Sequence, residues 1–431
     1  MVQVLIVGGG FAGLNAAKGL GGVQDVEVTI VDKSNHHLFQ PLLYQVAMAG
    51  LSPADIAVPI RSLLARYQNI RVLQGEIRSL HLAENRAEAD FGSLKFDYLI
   101  SCCGARHSYF KHEEWEEFAP GLKTLEQATE IRRRVLTAYE AAERSDSAAD
   151  RKRLLTFVIV GGGPTGVELA GAIGEMSRFT LAKDFRNIDA AAARVMLIES
   201  GPRILSMFSE SLASHAARDL EQLGVQVWTN SMVTNIDADG VDVGSERIVS
   251  ATVLWAAGVQ ASPLGKDAGL EVDRQGRVVV EPDLSIKGHP NVFFAGDQAC
   301  SIADGGKPLP GVAPVATQQG HYLAKLIRRE VKLLALGQAS NNQPRAPFNY
   351  VDKGSMATIG RSRAIVEVGR LKVTGFTAWM MWLLVHIYFL TGFRNRTLVV
   401  LQWGWSYLSF RRGARLIVNK EWRQHAEKPA V

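Results

Sequence analysis

The sequence predicts an α/β fold built from two Rossmann-like units, followed by a C-terminal helical region of different character. Three observations carry that reading. A strand–glycine–helix pattern opens the chain at Val2–Gly13. The same pattern returns at Leu155–Gly166. Beyond Val373 the chain becomes aromatic and uncharged, with arginines on its flanks.

Val2–Val7 reads as a buried strand that runs into Gly8-x-Gly10-x-x-Gly13. Leu14–Leu20 then reads as a small-residue helix packed close to that strand. The first glycine permits the tight turn, the second lets a pyrophosphate approach the backbone, and the third lets helix and strand touch. Phosphates then meet free N–H groups at the positive end of the helix. Val26–Val31 is the next strand and Asp32 ends it, where a ribose hydroxyl needs an acceptor. A tight turn with no ligand is the bland alternative. Strand, helix, second strand and terminal acid together favour a nucleotide.

The 431 residues suffice for two or three domains. With 47% hydrophobic and 21% charged residues the chain is globular rather than disordered. The net charge of +5 is concentrated toward the end, where Arg396, Arg411, Arg412, Arg415, Lys420 and Arg423 face only Glu421 and Glu427. The first apolar run is the opening strand, so no cleavable signal peptide is read. Cys102, Cys103 and Cys300 form no Cys-x-x-Cys, which suits an intracellular chain with reduced thiols.

Asn35–Gln45 is too apolar for an exposed loop and is expected to pack on a ligand or a partner domain. His36 and His37 lack further ligands, so no metal site is read. Ile70–Ile77 reads as a strand, as does Asp97–Cys102. The small residues Cys103, Gly104 and Ala105 beyond it permit close approach to a nucleotide. Cys102 and Cys103 are expected to be buried small side chains. Glu126–Glu143 reads as a helix and Arg144–Arg153 as a polar linker.

The second unit repeats the first. Leu155–Val160 is a strand, and Gly161, Gly163 and Gly166 restore the glycine spacing around Pro164 and Thr165. Arg194–Ile198 is its second strand and Glu199 ends it. An acid there accepts from both hydroxyls of an adenosine ribose and repels a 2′-phosphate, which favours NADH over NADPH. Val253–Gly258 is a strand ending in Ala257 and Gly258. Asn291–Asp297 presents Asp297 at a strand end, suited to a ribityl hydroxyl.

Val373–Phe393 contains no Asp, Glu, Lys or Arg, and five of the eight tryptophans lie at or beyond Trp379. Leu398, Leu401, Trp405 and Leu408 fall near helical spacing. Three readings stay open: a monotopic interfacial patch, a single spanning helix, and a soluble core or dimer interface. No feature suggests nucleic-acid binding.

Taken together the chain resembles the type II NADH dehydrogenases. These are single-subunit, non-proton-pumping NADH:quinone oxidoreductases of the two-dinucleotide-binding, glutathione-reductase-like flavoprotein superfamily. The resemblance rests on Gly8–Gly13 with Asp32, Gly161–Gly166 with Glu168 and Glu199, Ala295-Gly296-Asp297, and Gly311–Gly320. It implies an FAD-binding domain at 1–113 and 278–345, an NADH-binding domain at 114–277, and a membrane-anchoring region at 346–431. For FAD it implies Gly8, Gly10, Phe11, Ala12, Gly13, Asp32, Lys33, Ile77, Gly104, Asp297, Ala316 and Thr317. For NADH it implies Gly161, Gly163, Pro164, Thr165, Gly166, Glu199, Ala257 and Gly258. Glu168 is implied as a substrate-positioning acid, with an ordinary helix-start acid as its alternative.

The family often has Ala-Gln-x-Ala-x-Gln at its quinone site. This chain has Ala313, Pro314, Ala316 and Gln318 there, so Gln318 supplies the remaining amide. A second family carboxylate, one turn after Glu168, is Ala172 here. The implied partners are a membrane quinone and the membrane surface, with room for a homodimer. The implied location is the cytoplasmic face of the bacterial inner membrane, peripherally bound. The competing readings are a soluble NADH-dependent reductase of a protein electron carrier and a flavin-bound NADH sensor. The first would not need Val373–Phe410, and the second would turn over slowly with every acceptor.

Overall fold

A computed structural model describes residues 1–303, 305–337, 344–409 and 413–418. Phe410, Arg411, Arg412, Lys420, Glu421, Arg423 and Glu427, singled out above, lie outside the described residues. The chain divides into two compact units. One comprises Met1–Leu38, Ala57–Ser108 and Val259–Lys353; the other comprises Phe39–Ile56, Tyr109–Gly258 and Gly354–Val431.

The first unit is organised by the strand Val2–Val7. It lies parallel between Val26–Asp32 and Tyr98–Ser101 in a six-stranded sheet. Ile70–Gln74 extends one edge, and His289–Phe294 with Ser285–Ile286 the other. Strands buried on both faces read as continuous apolar runs, which is why Val4-Leu5-Ile6-Val7 shows no alternation. The helix Phe11–Leu20 buries Leu14, Ala16, Ala17 and Leu20 and packs along the helix Ala313–Ala335. The expected strand Ile70–Ile77 is two strands in separate sheets, Ile70–Gln74 and Ile77–His81, divided at Gly75.

The second unit holds a four-stranded parallel sheet in the order Val225–Trp228, Arg194–Ile198, Thr156–Val160, Thr252–Trp255. The helix Leu125–Arg144 starts at a capping box, in which Thr124 accepts from the Gln127 N–H and the Gln127 side chain accepts in return. The expected linker after Arg144 is mostly helix. Ser147 caps Ala148–Leu154 by accepting from the Asp150 N–H, and alanines carry the first turn.

The compact units are drawn differently from the domains the resemblance implies. Residues 259–277 go with the first unit, because Val259–Ala261 pairs antiparallel with Ala105–His107. Residues 354–431 go with the second, because the backbone of Ile359 and Gly360 lies against Gly171. This C-terminal region is not wholly helical. It opens with an antiparallel sheet of Ser355–Thr358, Ala364–Val368 and Leu371–Thr374.

Two helices follow, Gly375–Phe389 and Phe393–Ser409. Among the described residues no helix is long and apolar enough to cross a membrane, so the spanning reading falls. The uncharged run spends its first residues in a strand and breaks at Leu390–Gly392, where Gly392 has φ +90°. Its 15 helical residues rise about 22 Å, short of the roughly 30 Å hydrocarbon core. Ala378, Trp382 and His386 form the buried stripe of that helix. Trp382 stacks on His386 and packs near Tyr44 and Trp403. The Trp403 Nε1–H donates to Gln45 Oε1 at 2.7 Å. His386 hydrogen-bonds the Trp382 carbonyl at 2.6 Å, and burial lowers its imidazole to about 4.

Candidate functional site

In the first unit the strand ends at Gly8, whose φ of +102° only glycine adopts without strain. A Cβ on Gly13 would stand 1.9 Å from the Gly8 carbonyl oxygen, so helix and strand touch there. A Cβ on Gly10 would meet nothing within 4 Å, which leaves the backbone open above the turn. Gly10 caps the helix Phe11–Leu20 with no side-chain hydrogen bond, so its first N–H groups remain for an anion.

Asp32 stands beside this turn. Its Oδ2 accepts from the Gly9 N–H at 2.6 Å and its Oδ1 from the Ser34 N–H at 2.6 Å. Burial raises its carboxyl, and those two N–H groups oppose the shift. Lys33 is an exposed partner of Glu76, and Ile77 is a buried side chain of the neighbouring apolar cluster. The expected small residues past Ser101 are present, with Gly104 at φ +69° and open space over its Cβ direction. Cys102 and Cys103 are free thiols, and the Cys102 S–H donates to the carbonyls of Val7 and Gly8. Phe11 meets the His37 ring edge-on at 5.1 Å, and buried Ala12 lies under Gly320.

Asp297 lies in the short turn Gly296–Gln298 that follows the strand His289–Phe294. The helix Ala313–Ala335 begins shortly after, with Pro314 in its first turn, where a missing N–H costs nothing. Ala316 is buried and approaches Gly296, and Thr317 is half-buried. The two glutamines beyond have separate partners. Gln318 is clasped to Val351, its Nε2 donating to the Val351 carbonyl at 2.9 Å and its Oε1 accepting from the Val351 N–H at 3.0 Å. Gln319 is buried and accepts from the Gly296 N–H at 2.7 Å.

Sequence reasoning passed over Gln319, and over His37 as anything but a non-ligand. His37 is buried, its Nδ1 hydrogen-bonds the Gly9 carbonyl at 3.0 Å, and burial lowers its imidazole to about 4. A neutral imidazole thus supports the glycine turn from behind. The apolar surroundings of His37 between Asn35 and Gln45 were the available signal.

The second unit repeats the arrangement. Gly161 has φ +109°, a Cβ on Gly166 would stand 1.9 Å from the Gly161 carbonyl oxygen, and Gly163 has open space above it. The helix Pro164–Glu175 begins with a proline and no side-chain cap, and Thr165 and Gly166 complete its first turn. Glu199 accepts from the Gly162 N–H at 2.7 Å through Oε2 and from the Gly201 N–H at 2.6 Å through Oε1. Arg203, nearby, donates to the Ser206 carbonyl at 3.1 Å. Ala257 and Gly258 follow the strand Thr252–Trp255, with Gly258 at φ +72°.

Glu168 lies in the first turns of the helix Pro164–Glu175, partly buried, with its carboxyl enclosed and hydrogen-bonded by the Thr358 backbone N–H. Burial dominates and pushes that carboxyl up to about 8. No group of side chains among the described residues has the composition of a metal site.

Both cradles thus fit a dinucleotide: an open backbone over the second glycine, an uncapped helix N-terminus, and a strand-end acid. Residues 2–320 match the pyridine nucleotide-disulphide oxidoreductase family, and residues 353–412 match the NDH2 C-terminal domain. The chain is 45% identical to the type II NADH:quinone oxidoreductase NdhA of Mycobacterium tuberculosis, over 97% of this chain and 90% of that protein. A type II NADH:quinone oxidoreductase of Staphylococcus aureus is 27% identical over 88% of this chain and 92% of that protein. Among solved structures, NDH2 from Plasmodium falciparum in complex with NADH shares the fold. Its TM-score is 0.87 at 18% identity, covering 97% of this chain and 100% of that one. The sulfide:quinone oxidoreductase of Aquifex aeolicus follows with a TM-score of 0.70, 18% identity and 92% coverage of each chain. With its nucleotide cradles and its C-terminal region both matched, the chain belongs to the type II NADH:quinone oxidoreductases, FAD enzymes that accept a hydride from NADH and pass two electrons to quinone without pumping protons.

Proposed function

We propose that the first unit holds FAD and the second NADH. The supporting observation is the paired cradles. In each, an acid grips its own glycine turn through one backbone N–H and keeps lone pairs for a ribose hydroxyl. Asp297, Ala316 and Thr317 serve the flavin end of the first site, with Gly104, Ile77 and Lys33 along its wall. Ala257 and Gly258 line the second. FAD, when bound, supplies the two-electron carrier between hydride donor and quinone. Glu168 positions the nicotinamide substrate and, being protonated at neutral pH, offers an O–H donor rather than a negative charge.

Pro314 and Gln318 are assigned to the quinone. Gln318 must exchange its clasp on Val351 to offer its amide to a quinone carbonyl. Peripheral membrane association goes with this family, and the attachment is assigned to the C-terminal helices. Phe376, Leu384, Tyr388, Phe389 and Leu401 are exposed large apolar side chains there. Such a patch suits an interfacial helix. The leaflet assigned is the cytoplasmic one of a bacterial inner membrane, whose anionic lipids attract arginines. Of those arginines, Arg396 donates to the Leu390 carbonyl left over by the helix break, and Arg415 pairs with Asp184. These two cations are therefore already engaged, and the exposed apolar side chains are assigned the leading part in the attachment.

Removing everything after Asp352 is a poor test, because Ile359, Ile365 and Trp382 belong to the core of the second unit. The cleaner variant is Leu384→Ser with Tyr388→Ser and Phe389→Ser. It is expected to retain FAD and NADH-dependent ferricyanide reduction while losing sedimentation with vesicles and reduction of long-chain quinone. Unchanged sedimentation would refute the assigned surface. Raised salt should weaken attachment only partly, since apolar burial is not screened.

A further inference from the structure

Gly9 in the first unit is gripped on both of its polar groups. Its N–H donates to Asp32 Oδ2 at 2.6 Å, and its carbonyl meets His37 Nδ1 at 3.0 Å. A carbonyl can only accept, so Nδ1 carries a proton. Burial lowers the imidazole to about 4, so at neutral pH the ring is uncharged and that proton is its only one on nitrogen. The side chain comes from the short strand His36–Leu38, whose buried middle residue pairs with Val58. Phe11, the first residue of the following helix, meets the ring edge-on at 5.1 Å. Packing therefore holds the donor in place.

Trans peptide geometry gives this contact a direction. The Gly9 carbonyl and the Gly10 N–H belong to one rigid plane and point opposite ways. Holding the carbonyl on His37 turns the Gly10 N–H away from His37. Gly10 is the glycine over which the backbone is open, and no described group accepts from its N–H.

The second unit meets the same need by another route. Glu199 Oε2 accepts from the Gly162 N–H at 2.7 Å, and the Gly162 carbonyl accepts from the Leu205 backbone N–H at 2.7 Å. Leu205 is buried and has φ +49°, a left-handed conformation uncommon for leucine. Gly163 again has open space above it. Two unrelated donors, a side chain in one unit and a main-chain N–H in the other, thus hold the same carbonyl of the same turn. The shared feature is the carbonyl, so the donor serves the turn rather than local packing.

We propose that His37 is a positioning residue for the FAD pyrophosphate: its Nδ1–H fixes the Gly9–Gly10 peptide so that the Gly10 N–H is presented to a phosphate oxygen. This rests on FAD occupying the first cradle. It makes flavin retention, unlike NADH binding, depend on one side-chain donor.

The test compares two amides in the full-length holoenzyme. Asparagine carries its NH2 close to where imidazole Nδ1 stands, whereas glutamine carries it out toward the place of Nε2. His37→Asn is expected to hold FAD on dilution as wild type does. His37→Gln is expected to hold it roughly tenfold less tightly, the effect of leaving a buried carbonyl unpaired. With excess FAD present, the phosphorus NMR resonances of the bound pyrophosphate should coincide in wild type and His37→Asn. In His37→Gln one of them should move toward its position in free FAD, a shift that a role in packing alone would not produce. His37→Leu, which removes the donor altogether, should match His37→Gln in both measurements. NADH affinity should be unchanged in all three, because the second cradle takes its donor from the main chain.

Equal flavin release from His37→Asn and His37→Gln, or one phosphorus spectrum common to every variant, would overturn the role of His37. Flavin retained by Gly13→Ala would instead overturn the placing of FAD in this cradle. Flavin lost from Gly13→Ala but held by every His37 variant would leave the cradle standing without His37 as its positioning residue.

Discussion

The glycine turns of the two units answer the same steric problem in the same way. Gly8 and Gly161 have φ of +102° and +109°, and in each unit a Cβ on the third glycine would stand 1.9 Å from the carbonyl oxygen of the first. Asp32 and Glu199 each accept from the N–H of the second residue of the turn, at 2.6 and 2.7 Å. The difference lies two residues past the third glycine. The first unit has Asn15, whose Nδ2 donates to the Phe11 carbonyl of its own helix at 2.7 Å. The second has Glu168, whose carboxyl reaches the Thr358 backbone and is pushed up to about 8. The backbone cradle is therefore common architecture, and the side chain after it sets what each site can do. An amide turned onto its own helix is inert, whereas an enclosed carboxyl holds a proton near neutral pH, the property its proposed role at the nicotinamide uses.

The largest expected effect comes from breaking one cradle at a time. In Gly166→Ala the new Cβ would meet the Gly161 carbonyl, and in Gly13→Ala the Gly8 carbonyl. Backbone must move in either case, at about 3 kcal/mol or more. Gly166→Ala is expected to purify yellow, with FAD bound, and to lose NADH affinity roughly a hundredfold. Gly13→Ala is expected to lose the flavin. Absorbance of the purified variants and an NADH titration check both. Loss of flavin from Gly166→Ala would erase the assignment of one nucleotide to each cradle.

The next effect concerns the contrast between Asn15 and Glu168. Folded, the Glu168 carboxyl keeps its proton up to about 8; unfolded, it titrates near 4.5. Between those values the native state binds more protons than the unfolded chain, so stability must fall as pH rises. The favourable state is complete below the unfolded value and is lost by about pH 8. Glu168→Gln resembles the first unit in carrying an amide, and should remove this dependence. Its unfolding free energy is expected to gain on that of wild type steadily between about pH 5 and 8, by a few kcal/mol at most, read from denaturant titrations at each pH. Parallel curves for the two proteins would show that the carboxyl is already ionised.

This contrast also marks what the sequence makes legible. Both cradles are readable because a glycine turn is a local steric requirement, and strand, turn, helix and acid follow one another in order. The proton on Glu168 is not, because it depends on burial that exists only in the folded unit, where the Thr358 backbone N–H that donates to the carboxyl arrives from a distant strand. The same holds for Gln318 and Gln319, which are adjacent in sequence but turn to Val351 and Gly296 respectively. The uncharged run from Val373 looks long enough to span a membrane until the strand pairing of Val373 and the break at Gly392 shorten it. Composition registers the apolar surface there but not its division into two helices. The sheet Ser355–Thr374 is missed because each strand is short and finds its partner only in the fold.

The smallest effect separates the two strand-end acids. Glu199 offers one oxygen to Gly162 and the other to Gly201, while Asp32 serves Gly9 and Ser34. Replacing either by its amide leaves one acceptor and turns an NH2 group toward a backbone N–H that had a partner. That loss is about 1 kcal/mol, or roughly fivefold in affinity. Glu199→Gln should therefore weaken NADH about fivefold and leave FAD content unchanged. It should also narrow the preference over NADPH, because the negative charge that repels a 2′-phosphate is gone. Asp32→Asn should weaken flavin retention by a similar factor without touching nucleotide choice. Steady-state kinetics with NADH and NADPH on the holoenzyme, beside flavin release on dilution, separate the two. A Glu199→Gln enzyme with an unaltered NADH/NADPH ratio would mean that selectivity resides elsewhere, with Arg203 the first residue to substitute, since its guanidinium already donates to Ser206 beside the same turn.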